Sequence, residues 1–310
     1  MRYLIVLILW SAINPASAQF KTEEKVFVSA GELKGTLVLP SGKARFDLLV
    51  IQAGSGPTDR NGNSPYGIKA GTYRLLAEAL AKKKIATLLT DKRGIAGSAR
   101  AGKKESDLLF TDYADDLAGW INLMKKDPRI KKIFIAGHSE GSLLGMLAAQ
   151  KEEVAGYISI AGAGESIDRI LVWQFGNQSP ATGRTLDSLL TRLKNNEKID
   201  KVPAAFFSIL RPSIQPYIAS WMRLDPCVEI KKLSMPVLII QGTTDLQVTL
   251  KQGDMLKACR PDAKYVVFEG MNHILKKVSA DKTENVNSYS DVSLPLMPGP
   301  VKQIAAFIKR

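Results

Sequence analysis

The stretch IFIAGHSEGSLLGMLAAQ, at residues 133–150, narrows the possible folds of this chain more than any other segment. A run of β-forming residues ends at Gly137, and within three residues the pattern becomes helical. Ser139 stands on the turn between them, and Gly141 follows it by two residues. Side chains at the two glycine positions would collide with neighbouring backbone. The pattern G-x-S-x-G therefore predicts a tight, strained strand-to-helix turn that exposes the serine hydroxyl, and a purely structural turn is the alternative.

Strands and helices alternate on both sides of this turn. Strand patterns occupy residues 25–30, 32–40, 46–54, 85–94, 131–137, 154–164, 235–242 and 263–270, and helical patterns occupy residues 72–84, 112–126, 250–259 and 300–310. The first two strands are predicted to pair around Gly31. Alternation of this kind is typical of βαβ units, so we expect an α/β fold with a mainly parallel central sheet flanked by helices. With 310 residues, 45% of them hydrophobic, the chain can bury a sizeable core.

The alternation breaks between residues 165 and 224. This segment reads as helical pieces and carries six aromatic residues: Trp173, Phe175, Phe206, Phe207, Tyr217 and Trp221. We expect a helical cap there, inserted before the strand at 235–242 and placed over the carboxyl ends of the strands, where open sheets bind ligands. The predicted organisation is an α/β core in two parts, residues 19–164 and 225–310, with the cap between them.

The first 18 residues have the pattern of a cleavable signal peptide. Arg2 precedes an apolar run at residues 4–10, and Ala16-Ser17-Ala18 matches the small-x-small site that signal peptidases cut. The mature chain would begin near Gln19, and a buried N-terminal strand or helix is the alternative. No later stretch reaches about 18 apolar residues, so we expect no stable membrane insertion and a periplasmic or secreted protein.

The two cysteines and the net charge fit such a compartment. Cys227 and Cys259 are expected to form a disulfide in oxidising surroundings, with two free thiols as the alternative. The net charge of +13 comes from lysine pairs scattered along the chain. They form no basic helix and have no interleaved aromatic residues, so we expect no nucleic-acid partner. Weak attraction to anionic envelope surfaces is the remaining possibility.

A serine nucleophile needs a base, and the chain has only two histidines. His138 adjoins Ser139 and is directed elsewhere by the turn, so we expect it to be a packed or hydrogen-bonded neighbour. His273, which follows the strand at 263–270, is the candidate base. The segment after it, residues 279–299, has an unusual composition and is predicted to be a loop.

The base in turn needs a carboxylate to hold its tautomer. Asp245 lies in the loop after the strand at 235–242, on the same carboxyl-end face of the sheet, and is the candidate acid. Glu165 and Asp168, which follow the preceding strand, are its rivals.

An oxyanion hole requires two backbone N–H donors. Glu140 directly follows the nucleophile and is expected to supply one. The loop after the strand at 46–54 reads Gly54-Ser55-Gly56-Pro57, and its alignment places the second donor on Ser55. A plain glycine-rich turn is the alternative.

Five motifs in sequence order support a family resemblance: GSGPTDRNG, DKRGIAGS, GHSEGS, MPVLIIQGTTDLQV and MNHIL. With them the chain resembles α/β-hydrolase-fold serine hydrolases, nearest to secreted bacterial serine aminopeptidase-like and esterase-like proteins. The order Ser139, Asp245, His273 is the order of that fold. The sequence departs from the usual pattern at Ala53, where many relatives have histidine, and at Asn61, where aspartate is frequent.

The resemblance implies a Ser-His-Asp mechanism through an acyl-enzyme, with no cofactor and no metal. The resemblance says little about the substrate. The aromatic residues of the cap, as the lining of an apolar acyl pocket, favour a carboxylic ester of short or medium acyl length, and the core of the cap is the alternative place for them. The alternative functions are an aminopeptidase-like peptidase or a non-catalytic binding protein on the same scaffold. A protein that binds envelope polymers through its basic surface is a further hypothesis. Asp59 and Arg60, in the GSGPTDRNG motif, either bind substrate or pair with each other.

Overall fold

Eight strands form one sheet in the computed structural model, which describes residues 20–42 and 45–310. The strands are β1 (Phe20–Val28), β2 (Glu32–Pro40), β3 (Phe46–Gln52), β4 (Ala86–Thr90), β5 (Ile130–His138), β6 (Gly156–Ile160), β7 (Val237–Gly242) and β8 (Lys264–Phe268). Their order across the sheet is β1-β2-β4-β3-β5-β6-β7-β8. The β1–β2 and β2–β4 pairs are antiparallel, and the other five pairs are parallel. The predicted mainly parallel sheet is confirmed.

The helices of the described chain are α1 (Thr72–Ala81), α2 (Phe110–Lys125), α3 (Glu140–Lys151), α4 (Ile167–Gly176), α5 (Pro180–Lys194), α6 (Phe207–Leu210), α7 (Gln215–Met222), α8 (Pro226–Lys231), α9 (Leu250–Cys259), α10 (Lys282–Asn287) and α11 (Pro298–Ile308). Successive residues of a strand point to opposite faces, so Leu48 and Val50 join the core under α2 and α3, whereas Leu49 and Ile51 join the core under α1 and α11. Helices therefore cover both faces of the sheet, as the sequence predicts.

The carboxyl ends of the parallel strands meet at one edge of the sheet. The loop after β3 carries Ser55, the turn after β5 carries Ser139, and the loops after β7 and β8 carry Asp245 and His273. Residues separated by more than 200 positions in sequence therefore come to the same edge, which is the edge expected to hold the site.

Helices α4 to α7 fill the segment between β6 and β7 that is predicted to be a cap. They pack against the core, and one contact is between α7 and α2. There Trp221 stacks on Phe110, with 4.8 Å between ring centroids. Phe175 and Phe206 contact each other within the segment, at 5.4 Å. Its apolar residues belong to the same buried cluster as α2 and α3. The boundaries at residues 165 and 224 stay a prediction.

The chain after His273 is more ordered than its composition suggests. The sequence reads residues 279–299 as a loop, but the structure has the short helix α10 there. The Asp281 carboxylate caps this helix by accepting a hydrogen bond from the Glu284 backbone N–H at 2.7 Å. The Asn272 side chain donates to the Ser288 hydroxyl at 2.8 Å, so the segment is fastened beside the histidine loop.

The predicted disulfide is confirmed, because Cys227 of α8 and Cys259 of α9 are bonded, with 5.4 Å between their Cα atoms. The predicted signal peptide, residues 1–18, lies outside the described residues. Within residues 20–42 and 45–310, no helix combines the length and the apolar character needed to cross a bilayer.

Candidate active site

Ser139 occupies a strained turn between β5 and α3. Its backbone angles are φ 55° and ψ −122°, and positive φ is uncommon for a residue other than glycine. A Cβ added to Gly137 would lie 2.1 Å from the carbonyl oxygen of Gly141. A Cβ added to Gly141 would lie 2.3 Å from the carbonyl oxygen of Gln52. These are the backbone collisions that the sequence predicts, and they explain why both positions are glycine.

His273 and Asp245 form a buried pair. The His273 Nδ1 atom lies 2.8 Å from Asp245 Oδ2, and the two side chains are only 5% and 1% exposed. The other oxygen of Asp245 accepts the backbone N–H groups of Gln247 and Val248, at 2.8 and 2.9 Å. The carboxylate is therefore held in place, and it selects the tautomer with the proton on Nδ1, which leaves Nε2 able to accept one.

Ser139 and His273 line the same small cavity of about 60 Å³. Gly54 and Ser55, from the loop after β3, line it too. A Cβ on Gly54 would lie 3.1 Å from the Ser139 Cβ, so glycine allows the loop to approach the serine closely. The structure thus brings together the four segments that sequence reasoning selected.

His138 turns away from the serine and is fully engaged. Its Nε2 lies 2.8 Å from the His273 carbonyl oxygen, and its Nδ1 lies 2.8 Å from the Tyr73 hydroxyl. A carbonyl can only accept, so Nε2 carries the proton and Nδ1 accepts from Tyr73. Burial, together with the neighbouring His273, lowers the pKa of His138 to about 3. The neutral His138 ring therefore links Tyr73 of α1 to the loop that carries His273. It is the hydrogen-bonded neighbour that the sequence predicts.

Tyr73 connects this network to the loop after β3. Its hydroxyl oxygen accepts the Gly54 backbone N–H at 3.1 Å. The Gly54 amide is therefore occupied, and the next amide, that of Ser55, is the one available to a ligand. Glu140 is the first residue of α3, where backbone N–H groups have no partner within the helix. Ser55 and Glu140 both line a second cavity that also reaches Ser139.

That second cavity has a volume of about 440 Å³ and lies under the predicted cap. Most of its lining residues are apolar, and they include Leu143 of α3, Ile167, Ile170 and Leu171 of α4, Ile209 of α6, Tyr217, Ile218 and Trp221 of α7, and Pro226 of α8. A cavity of this size and character is typical of small-molecule sites. Ser139 lines both this large apolar cavity and the small one.

Sequence reasoning missed two polar residues of the small cavity, Gln247 and Tyr289. The Gln247 side-chain amide donates to the Tyr289 hydroxyl at 3.0 Å, and both residues line the cavity. Gln247 lies in the MPVLIIQGTTDLQV motif, two positions after Asp245, but the motif was used only for the acid, and Tyr289 lies in no motif, in the segment after His273. Only its proximity to the candidate base could have drawn attention to that segment.

The rival acids lie elsewhere. A Glu165 oxygen accepts from the Gln252 side chain at 2.7 Å, and Asp168 pairs with Lys194 at 3.1 Å. Both line a groove along α4 and α5 instead of the His273 cavity. Asp245 is the carboxylate that contacts the histidine.

Asp59 and Arg60 are not brought to Ser139. Arg60 pairs with Asp91 at 2.8 Å and with Glu24 at 2.7 Å. One Asp59 oxygen accepts two backbone N–H groups of its own loop, both at 2.8 Å. The two residues therefore do not pair with each other, and they line a separate surface depression. Among the residues that the structure describes, no cluster of three His, Cys, Asp or Glu side chains could hold a metal ion.

The sequence is similar to a known family and to several known proteins. The family model described as serine aminopeptidase, S33, matches residues 66–277. The chain is 25% identical over 263 residues to the esterase EstD of Thermotoga maritima, a match that covers 81% of this chain and 60% of that protein. It is also 23% identical over 243 residues to the monoglyceride lipase of Rattus norvegicus, over 71% of this chain and 76% of the lipase.

A solved structure has a similar fold. Est1E from Butyrivibrio proteoclasticus superposes with a TM-score of 0.60 at 17% identity, and the match covers 92% of this chain and 98% of Est1E. At that identity the likeness concerns the fold alone. Because the family model matches more than half of the sequence, the chain belongs to the S33 serine aminopeptidase family of hydrolases with the α/β-hydrolase fold.

Proposed function

We propose that this hydrolase cleaves carboxylic esters of short or medium acyl length, using Ser139, His273 and Asp245. The observation that carries the proposal is the convergence of the strained serine and the buried Asp–His pair on one small cavity, which shares Ser139 with a large apolar one. Two relatives named as an esterase and a monoglyceride lipase support it.

The proposed reaction has two halves. Ser139 attacks the acyl carbon while His273 Nε2 takes the serine proton, and Asp245 stabilises the imidazolium. The amides of Ser55 and Glu140 hold the oxyanion that develops. His273 then returns the proton to the departing alcohol, and an acyl group remains bonded to Ser139. Water, activated by the same histidine, releases the carboxylic acid in the second half.

The two cavities suggest how an ester would lie. The leaving alcohol receives its proton from His273, so it belongs on the side of the small cavity that His273 lines. The acyl chain then takes the apolar cavity of about 440 Å³. This orientation favours esters with a compact alcohol and a longer acyl chain.

We also propose a periplasmic or secreted location. The disulfide between Cys227 and Cys259 supports it, since such bonds persist in oxidising compartments. The predicted signal peptide points the same way.

The test is hydrolysis of p-nitrophenyl esters of increasing acyl length by the wild type, Ser139→Ala and Asp245→Asn. We expect Ser139→Ala to lose about 10⁴-fold or more in kcat, and Asp245→Asn to lose about 10⁴-fold because the amide favours the wrong histidine tautomer. Ser106→Ala, which removes an exposed serine, is the matched control and should leave turnover unchanged.

Other outcomes select other functions. If the folded wild type cleaves amino-acid p-nitroanilides and no ester, the protein is the aminopeptidase-like alternative. If it cleaves neither while it still binds an apolar ester analogue, the non-catalytic binding protein is favoured. Salt-sensitive binding to an anionic polymer that persists in Ser139→Ala would favour the basic-surface hypothesis.

A further inference from the structure

A buried ion pair lies directly behind the candidate oxyanion hole. Lys92 Nζ is 3.0 Å from Glu140 Oε1 and 2.6 Å from the Gly54 carbonyl oxygen. The two charged side chains are only 4% and 3% exposed. The ammonium group also lies 5.2 Å from the centre of the Tyr113 ring. Lys92 belongs to the loop after β4, so it joins a third segment to the two that supply the oxyanion donors.

Stability alone is a weak reason for such a pair. Two charges removed from water lose much of their hydration, and apolar side chains of similar volume often stabilise a fold equally well. Asp245 and His273 make no contact with either group, so the triad does not require the pair. Its position at the two oxyanion peptides offers a functional reason.

The first contact controls the direction of a peptide plane. The Gly54 carbonyl and the Ser55 N–H belong to one planar trans peptide, in which the two bonds point in opposite directions. A cation that holds the carbonyl from behind therefore aims the Ser55 N–H toward Ser139. The Gly54 N–H is held by Tyr73 at 3.1 Å, so the loop is fixed at two successive peptides. The ammonium charge also polarises the peptide and strengthens its N–H as a donor.

The second contact reaches the other donor. Glu140 carries the candidate donor on its own backbone, and its carboxylate is held by the same ammonium group. One side chain thus sets the spacing between the loop after β3 and the first residue of α3. Catalysis by such a hole depends on donors placed in advance where the charge will develop.

We propose that Lys92 is a positioning residue of the oxyanion hole, acting through the Gly54–Ser55 peptide and the Glu140 side chain. The inference rests on the proposed function, because an oxyanion forms only if Ser139 attacks an acyl group. Lys92 touches no reacting atom, so its effect must be on the geometry of the donors.

The test uses Lys92→Met combined with Glu140→Gln, which removes both charges together and leaves neither one buried alone. We expect kcat for the preferred p-nitrophenyl ester to fall about 10- to 100-fold, with KM within about 3-fold, because the interaction is stronger in the transition state than in the ground state. Loss of one oxyanion donor costs about 10²–10³-fold, so a misaimed donor should cost less.

Two ligands separate positioning from general damage. A trifluoromethyl octyl ketone is attacked by an active serine and forms an oxyanion adduct, whereas methyl octyl ketone has the same chain and binds without one. We expect the double variant to lose affinity for the first by the same factor as kcat/KM and to keep its affinity for the second within about 3-fold.

The matched control is Arg93→Met combined with Asp116→Asn. It removes the neighbouring buried pair, whose Arg93 Nε lies 3.0 Å from Asp116 Oδ2 and which contacts neither Gly54 nor Glu140. This control should lower the unfolding midpoint in urea while kcat and the ketone affinities stay near those of the wild type.

Each outcome is decisive. A folded Lys92→Met/Glu140→Gln variant with wild-type kcat and wild-type trifluoromethyl ketone affinity overturns the inference and leaves the proposed function standing. A wild type that cleaves no ester and does not bind the trifluoromethyl ketone overturns both. If the double variant does not fold, Glu140→Gln alone should give an intermediate loss of kcat at constant KM, and an unchanged kcat there also contradicts the inference.

Discussion

The two histidines of this chain acquire opposite chemistry from their surroundings. His273 donates through Nδ1 to Asp245, which keeps Nε2 free to take a proton. His138 uses both ring nitrogens in contacts with Tyr73 and the His273 backbone, and burial keeps it neutral. One residue type therefore serves as the proposed base and as a structural link within the same site.

The low pKa of His138 makes a prediction about stability. In the unfolded chain this side chain binds a proton below pH about 6.5, whereas in the folded protein it stays neutral until about pH 3. The unfolded state therefore binds more protons in this window. Stability should fall as the pH drops through it, by up to about 1.4 kcal/mol per pH unit from this residue, and should not change above it.

The measurement is urea unfolding of the wild type and His138→Gln at several values of pH from 4 to 8. Glutamine can donate to the His273 carbonyl and accept from Tyr73, but it does not titrate. All other groups are shared, so the difference between the two pH profiles isolates His138. Parallel profiles between pH 4 and 6 would contradict a neutral buried histidine.

Whether a residue of the site can be recognised in the sequence depends on how far along the chain its partners lie. Ser139 and its two glycines are recognisable because a strand, a tight turn and a helix lie within eighteen residues of sequence. Tyr73, Lys92 and Tyr289 were not found, because each acts through a partner at least 38 positions away, or through a cavity wall. No local sequence pattern predicts a contact between residues so far apart in the chain.

At the scale of elements, the helices between β6 and β7 shape the proposed specificity. Helices α4 and α7 each supply more lining residues of the large cavity than any other helix, and Ser139 lines it too. The aromatic residues of this segment divide: Tyr217 and Trp221 line the cavity, whereas Trp173 and Phe207 are exposed. In the proposed orientation of the ester, side chains outside the sheet therefore decide the acyl length that fits.

Narrowing this cavity should shorten the preferred acyl chain. Leu171→Trp places a larger side chain in the wall, and each methylene that no longer fits costs about 10-fold or more in kcat/KM. The shortest esters should lose less than about 3-fold, because the triad is untouched. A series of p-nitrophenyl esters gives the profile.

Phe207→Trp is the control for this change, since Phe207 lies in the same segment, is 53% exposed and does not line the cavity. It should keep the wild-type profile. An equal loss at every chain length in Leu171→Trp would show damage to the fold instead of a filled acyl site, and would count against the proposed orientation of the ester.

The sequence predicts the types of most elements correctly, but it misses helix α10. The eight strands and the helices flanking the sheet follow from hydrophobic period and from breaks at glycine and proline. Helix α10 was missed because it has only six residues, and its order comes from the Asp281 cap and from contacts with the histidine loop. Short helices of this kind depend on tertiary packing more than on propensity.

At the scale of the whole molecule, the disulfide ties the exit of the predicted cap to the second part of the core. It joins α8 to α9 and closes a loop with a sequence separation of 32 residues. The Asp245 loop and strand β7 lie within that loop. The bond therefore restrains the segment that carries the proposed acid.

Removing the disulfide should cost stability more than activity. Cys227→Ser combined with Cys259→Ser is expected to lower the free energy of unfolding by about 3 kcal/mol, with kcat at 25 °C within about 3-fold of the wild type. Urea unfolding with and without dithiothreitol measures the effect. Dithiothreitol should weaken the wild type and leave the double variant unchanged, and equal urea midpoints for the two proteins would refute the expected contribution.

The sequence by itself determined the elements, the strand-to-helix turn at Ser139, and the identity of the candidate base, because these depend on local periodicity and on which titratable residues the chain contains. Only the tertiary structure decided that Asp245 and not Glu165 meets His273, that Arg60 pairs with Asp91, and that Lys92 lies behind Gly54 and Glu140. The physical reason is that hydrogen bonds and cavities depend on distances between side chains from different strands. Those distances are set when the sheet brings its strand ends together.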